Sequence, residues 1–280
     1  METTHSDLQT YKDALRISSE HYENFPVTSF LFPKDLRKDV ALIYKFARTA
    51  DDISDEGNYS KEERKKSLTM FRNEFEDSLY KNYHNTFWKL LHGTIKKRKL
   101  NPQNFFDLLT AFEQDIYKNE YNTFDDLLGY CKNSANPVGK IILELYNIND
   151  EQIISLSDKI CTALQLTNFW QDVKVDLEKG RIYIPLEDFS KFGTDKSILN
   201  SEQTTDALRQ IIKFEVERTE KLFDEGREIL QLLRGRLKWQ IRWTINGGQK
   251  ILRKIKKNQY DVLNYRPTLT KIDYISTLVS

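Results

Sequence analysis

Glycine and proline are scarce, ten and six in 280 residues, under half the roughly 12% that an average protein spends on them. A chain so poor in turn formers is predicted to spend its length in long helices. Only two cysteines are present, Cys131 and Cys161. They form no Cys-x-x-Cys pair, which excludes a zinc ribbon or disulfide framework and predicts core thiols. No run approaches the roughly 18 apolar residues of a membrane span, and Met1–Thr10 lacks the apolar stretch of a secretion signal. These absences predict a cytoplasmic chain. An excess of one charge is missing too: Lys plus Arg number 43 and Asp plus Glu 42, for a net charge of +1. That balance argues against a nucleic-acid partner. The glycines form neither a dinucleotide fingerprint nor a P-loop.

What remains is helical periodicity. Leu36, Val40, Ile43, Tyr44, Ala47 and Ala50 recur near every 3.6 residues after Pro33, as on one helix face. Asn101-Pro102 opens a helix carrying Phe105, Leu109, Phe112 and Ile116. Thr123 through Asp126 reads as a capping box for a helix running towards Ile142. Asn149-Asp150 caps another, and helical patterns then cover about 202–233 and 238–257. The rhythm breaks at Gly180-Arg-Ile-Tyr-Ile-Pro185, an extended loop closed by proline. Without a linker, repeat or low-complexity tract, the prediction is one all-α domain over 1–280, with its core at about 20–267 and ragged ends.

Two polar stripes interrupt the apolar pattern. Arg48, Asp51, Asp52 and Asp55 fall on one side of a helix at about 100° per residue. Like charges at that spacing repel by about 0.2–0.5 kcal/mol per pair, so local stability does not recommend them. Gln165, Asn168, Asp172 and Asp176 form a second stripe on a helix otherwise apolar nearly all round, the signature of a buried helix. If the two faced each other, their carboxylates would line one cavity suited to Mg²⁺, which takes one or two carboxylates plus waters and substrate phosphates. The structural alternative is a pair of ordinary solvated acidic faces. A di-iron bundle needs Glu-x-x-His motifs on two helices, and His21, His84 and His92 carry none.

At these residues the chain resembles the head-to-head prenyl synthases, the squalene and phytoene synthases. The anchors are His21 through Phe25, Arg48 through Asp55, Ser134 through Gly139, Gln165 through Asp176, and Arg181 through Pro185. Together they span about residues 20–267. Glu23-Asn24-Phe25-Pro26, Leu166 through Asp172 and Tyr260 through Pro267 look most like the bacterial hydroxysqualene synthases of hopanoid biosynthesis.

The resemblance implies the class I isoprenoid (terpenoid) synthase fold, a helical domain around a central cavity. It also implies ionisation of presqualene diphosphate, rearrangement, and quenching by water to hydroxysqualene. Asp51, Asp52, Asp55, Asn168, Asp172 and Asp176 would hold about two or three Mg²⁺ ions, and no NADPH is expected. Arg48 and Tyr44 would join the acids in catalysis. His21, Asn24, Phe25, Gln165, Gln171, Arg181, Tyr183, Tyr260 and Arg266 would contact substrate. Phe169 and Trp170 would help shape an apolar pocket.

Two departures stand out. Asn24 replaces a serine common in the family, and Gln171 replaces an arginine before the second motif's first aspartate. Both suit a specialist in the second half-reaction. The rival readings are a complete synthase condensing two farnesyl or other prenyl diphosphates, and a non-catalytic assembly or binding protein. Pathway enzymes upstream and downstream are expected partners. Lys250, Arg253, Lys254, Lys256 and Lys257 form either an ordinary solvated face or a basic face resting on the inner surface of an anionic membrane.

Overall fold

The computed structural model describes residues 4–20, 32–270, 272–273 and 277. The helices of the first half are α1 (His5–Glu20), α2 (Arg37–Asp55), α3 (Lys61–Leu79), α4 (Thr86–Arg98), α5 (Pro102–Tyr117), α6 (Phe124–Ser134) and α7 (Asn136–Leu145). There follow α8 (Glu151–Gln171), α9 (Val173–Glu178), α10 (Leu186–Lys191), α11 (Asp206–Gly226), α12 (Ile229–Leu232) and α13 (Gly235–Lys257). Residues 1–117 with 140–149 form one compact unit, and 118–139 with 150–280 form a second.

In the first unit, α2 is built around Phe46, which is fully buried. Its ring meets Phe75 at 5.0 Å, Phe71 and Phe105 each at 5.2 Å, and Trp88 at 6.2 Å. Tilted and edge-on arrangements of this kind add about 0.5–1.5 kcal/mol per pair beyond burial. Asp39, Leu42, Phe46, Ala50 and Ser54 are the buried face of α2. At about 100° per residue, Arg48, Asp51, Asp52 and Asp55 project from the opposite side. Packing therefore decides which way the acids point. Asp39 locks the start of the helix, taking Arg98 Nε at 2.6 Å and Thr94 Oγ1 at 3.2 Å. Thr94 and Arg98 both sit on α4.

In the second unit, α8 packs against α6, α11, α12 and α13. Trp170 is fully buried and donates from Nε1 to Thr219 Oγ1 at 2.8 Å. Close approach needs glycine: a Cβ on Gly226 would lie 2.7 Å from Ile160, and one on Gly248 would lie 2.6 Å from Phe223. The predicted helix from Phe124 is interrupted at Ala135, and α11 starts at Asp206 with Thr205 as its cap. The capping boxes at Thr123 and Ser60 are both formed. Cys131 and Cys161 are buried, and burial pushes the Cys131 thiol up to about 12, so it is inert at neutral pH. The segment at 180–185 is extended as expected, with Ile182 bridged to Glu120.

One charged cluster was not anticipated. Glu215 is fully buried on α11, with Oε1 3.3 Å from Arg218 Nη2, which also lies 2.7 Å from Asp188 Oδ2. The Arg218 guanidinium is sandwiched over Phe124 at 3.8 Å and Phe214 at 4.4 Å. Burial raises the Glu215 pKa well above the ordinary carboxylate range; Arg218 opposes this and Asp188 adds to it. Folded Glu215 thus holds its proton more tightly than the unfolded chain does. Its contribution to stability is complete below the unfolded glutamate pKa and is lost as pH rises through the higher folded value. Glu215→Gln keeps the neutral shape and should gain about 1 kcal/mol or more over wild type at the alkaline end. Thermal melts of both proteins between about pH 5 and 8 should diverge as pH rises. A constant difference across that range would contradict the assignment.

Candidate active site

The first stripe occupies the last two turns of α2. Arg48 Nη2 lies 2.6 Å from Asp52 Oδ1, and Nη1 lies 3.4 Å from Asp51 Oδ2, with Glu56 Oε1 at 3.7 Å. Arg48 Nη2 and Asp52 Oδ1 thus form a close ion pair, while Arg48 Nε is buried without a hydrogen-bond partner. That N–H keeps the capacity to donate to one further acceptor. Burial raises the Tyr44 pKa, Arg48 counters it, and Asp51 and Asp52 raise it further. The phenol therefore keeps its proton and its capacity to donate.

Arg64, which the sequence reading missed, closes this helix. From α3 it donates to the carbonyls of Ile53 at 3.3 Å, Glu56 at 3.0 Å and Gly57 at 2.7 Å. Three aspartates beside the negative end of a helix dipole are unfavourable. A guanidinium on those last carbonyls offsets part of the cost. No short motif marks Arg64, because its partners are main-chain oxygens five to eleven positions earlier.

The second stripe departs from the expected single helix. α8 ends at Gln171, Asp172 adopts φ −108° and ψ 16°, and α9 resumes at Val173. The spacing survives the break because Asp172 N–H still bonds Asn168 O at 2.9 Å, and Asp176 N–H bonds Asp172 O at 2.8 Å. Leu166, Phe169, Trp170 and Val173 are buried, whereas Gln165, Asn168, Gln171, Asp172 and Asp176 are half-buried.

Arg266 comes to this stripe from the chain after α13. It grips Asp172 with two prongs, Nε to Oδ1 at 2.5 Å and Nη2 to Oδ2 at 3.2 Å. Gln171 Nε2 donates to the Pro267 carbonyl at 2.6 Å. Tyr260 stands where α13 gives way to that segment, and both it and Gln259 have positive φ, 59° and 53°. Tyr183 is stacked on Phe169 at 3.8 Å and 9°. Its loop is tied to the stripe by Arg181 N–H, which donates to Asp176 O at 2.8 Å. Trp170 belongs to the core. Residues His21, Asn24 and Phe25 lie outside the described residues.

Among the described residues, no group of three or more His, Cys, Asp or Glu side chains is arranged to hold a metal ion. Mg²⁺ takes one or two carboxylates, and its remaining ligands are waters and substrate phosphates. The donor set is chemically suited too, being carboxylates and amides without sulfur or imidazole.

Comparison with known proteins gives the geometry its context. The squalene/phytoene synthase family matches residues 18–273. A hydroxysqualene synthase from Sinorhizobium fredii is 28% identical over 93% of this chain and 88% of its own length. A phytoene synthase from Arthrospira platensis is 26% identical over 97% of this chain and 93% of its own. The crystal structure of squalene synthase HpnC from Alicyclobacillus acidocaldarius aligns with a TM-score of 0.84 at 34% identity, covering 90% of this chain and 95% of that one. Both stripes, the loop after the second and the Arg266 segment fall inside the matched span, and the chain belongs to the squalene/phytoene synthase family.

Proposed function

We propose that this enzyme ionises presqualene diphosphate and delivers hydroxysqualene and diphosphate. The observation that carries this reading is the pairing of acids with an arginine in both stripes: Arg48 on Asp51 and Asp52, and Arg266 on Asp172. A departing diphosphate needs cationic groups for its oxygens, and divalent ions need carboxylates to hold them. The hydroxysqualene synthases among the relatives support the choice of substrate.

In the reaction the substrate's C–O bond to diphosphate breaks and the electron pair leaves with the diphosphate. The cyclopropylcarbinyl cation rearranges, and water forms the new C–O bond and gives up a proton. Asp51, Asp52 and Asp55 would hold Mg²⁺ from one stripe, and Asn168, Asp172 and Asp176 from the other. When bound, Mg²⁺ supplies Lewis-acid stabilisation of the leaving diphosphate. Arg48 and Arg266 offer guanidinium forks to phosphate oxygens. The Tyr44 ring and the Phe169–Tyr183 stack supply π faces for a carbocation. The phytoene synthases among the relatives favour one rival, condensation of two prenyl diphosphates.

Asp51→Ala and Asp172→Ala should each lower diphosphate release from presqualene diphosphate by at least about a hundredfold. Helical circular dichroism should be unchanged in both. Full release from either variant would refute the assignment.

The lipid substrate and product also make contact with a membrane surface part of this proposal, but the residues differ from those expected. Among the described residues, no helix is long and apolar enough to cross a membrane. Lys250 and Lys254 lie 3.4 and 2.5 Å from Asp273, and Lys256 lies 2.5 Å from Glu220, so much of the 250–257 charge is already neutralised. At the start of α13, Arg234, Arg236, Lys238 and Arg242 make no ion pair among the described residues. They flank Trp239 in sequence, with Arg242 over its ring at 5.1 Å; Trp239 is 55% exposed and Leu232, just before them, 43% exposed. Unpaired cations around an indole suit an anionic lipid surface, with each cation contributing about 1 kcal/mol. Trp239→Ala combined with Arg236→Glu should reduce co-sedimentation with phosphatidylserine vesicles, while Arg253→Glu should change it little. Equal recovery of wild type with neutral and anionic vesicles would remove this part of the proposal.

A further inference from the structure

The Gln171 side chain is engaged with the backbone of a distant segment. That segment leaves α13 through Gln259 and Tyr260, two consecutive left-handed residues. Asp261 then gathers it. Its Oδ1 accepts from Thr204 Oγ1 at 2.5 Å and from Asn264 N and Nδ2, each at 3.2 Å. Beyond the site, Lys254 Nζ donates to Thr268 O at 2.7 Å. Between these anchors lie Arg266, on Asp172, and Pro267, whose carbonyl accepts from Gln171 Nε2 at 2.6 Å.

The covalent chemistry of this stretch makes that single hydrogen bond consequential. Pro267 is buried, and its ring fixes its own φ. A residue before proline is confined to extended conformations, so Arg266 has little backbone freedom of its own. Fixing the Pro267 carbonyl therefore fixes the direction in which the Arg266 side chain leaves the backbone. Gln171 and Asp172 are adjacent, so the donor that holds the strap and the carboxylate that receives its guanidinium move as one unit. An arginine at 171 would instead set a second cation beside Arg266.

We propose that Gln171 is a positioning residue: its amide holds the Pro267 carbonyl so that the Arg266 fork stands at Asp172, and it acts on the bound diphosphate through Arg266 without touching it. The inference deepens the reading of this stripe as a diphosphate site and rests on it. Gln171→Glu is nearly isosteric but has no N–H to donate and faces a carbonyl with a negative charge. Gln171→Ala removes the contact altogether.

Two measurements test the assignment. The first is hydrogen exchange at the Asn264 and Thr270 amides of the full chain, which donate to Asp261 and Asp273 on either side of Pro267. Exchange should quicken roughly tenfold in Gln171→Ala and Gln171→Glu, with the amides of α8 unchanged. The second is binding of inorganic diphosphate with Mg²⁺ to wild type, Gln171→Ala, Arg266→Ala and the double variant. Gln171→Ala should weaken binding roughly tenfold in the wild-type background and cause no further loss in Arg266→Ala. An equal further loss would show that Gln171 meets the ligand itself, and unchanged strap exchange would show that its hydrogen bond holds nothing. Either result overturns the proposal. If wild type binds no diphosphate, the functional reading fails separately, and the exchange result alone decides the role of Gln171.

Discussion

Carboxylates gathered at the C-terminal end of a helix face two opposing forces, their mutual repulsion and the negative pole of the helix dipole. This chain builds that arrangement twice. Asp51, Asp52 and Asp55 fill the last two turns of α2, and Asp172 stands at the end of α8. In each place an arginine meets the first acids, Arg48 from within the helix and Arg266 from far along the chain. Arg64 adds a third guanidinium on the carbonyls that end α2. The rest of the structure holds these acids where local energetics disfavour them.

The packing explains how the acids are presented. In the first unit the aromatic cluster around Phe46 binds one face of α2, leaving the opposite face to the stripe. In the second unit, α11 and α13 approach α8 closely at Gly226 and Gly248. Trp170 is tied to Thr219, so α8 cannot rotate about its axis without breaking a buried hydrogen bond. The stripe residues are thus set by buried side chains one and two positions away. Side chains placed on such rigid elements retain their geometry without a bound ligand.

Much of this was legible because helical periodicity and charge spacing are local signals. The α2 stripe, the Asp150 cap and the capping box at Thr123 follow from residues within a few positions of each other. The break at Asp172 was hidden because a one-residue interruption preserves steps of three and four. Contacts over long separations were not legible at all. Nothing near Lys250 or Lys256 announces Asp273 or Glu220, so a run of cations looked like an open basic face. Arg98 on Asp39, 59 positions apart, and the buried Glu215 cluster were hidden for the same reason. Gln171 could be seen as a departure from its family, but its partner, a backbone carbonyl 96 positions away, has no sequence signature.

The central claim is that these two acid stripes serve the ionisation of presqualene diphosphate with water as the final nucleophile. The most direct measurement offers presqualene diphosphate and, separately, farnesyl diphosphate, each with Mg²⁺ and without NADPH, and identifies products by mass spectrometry. The account predicts hydroxysqualene from presqualene diphosphate and no product from farnesyl diphosphate. A condensed product from farnesyl diphosphate, or no turnover of presqualene diphosphate, would contradict it.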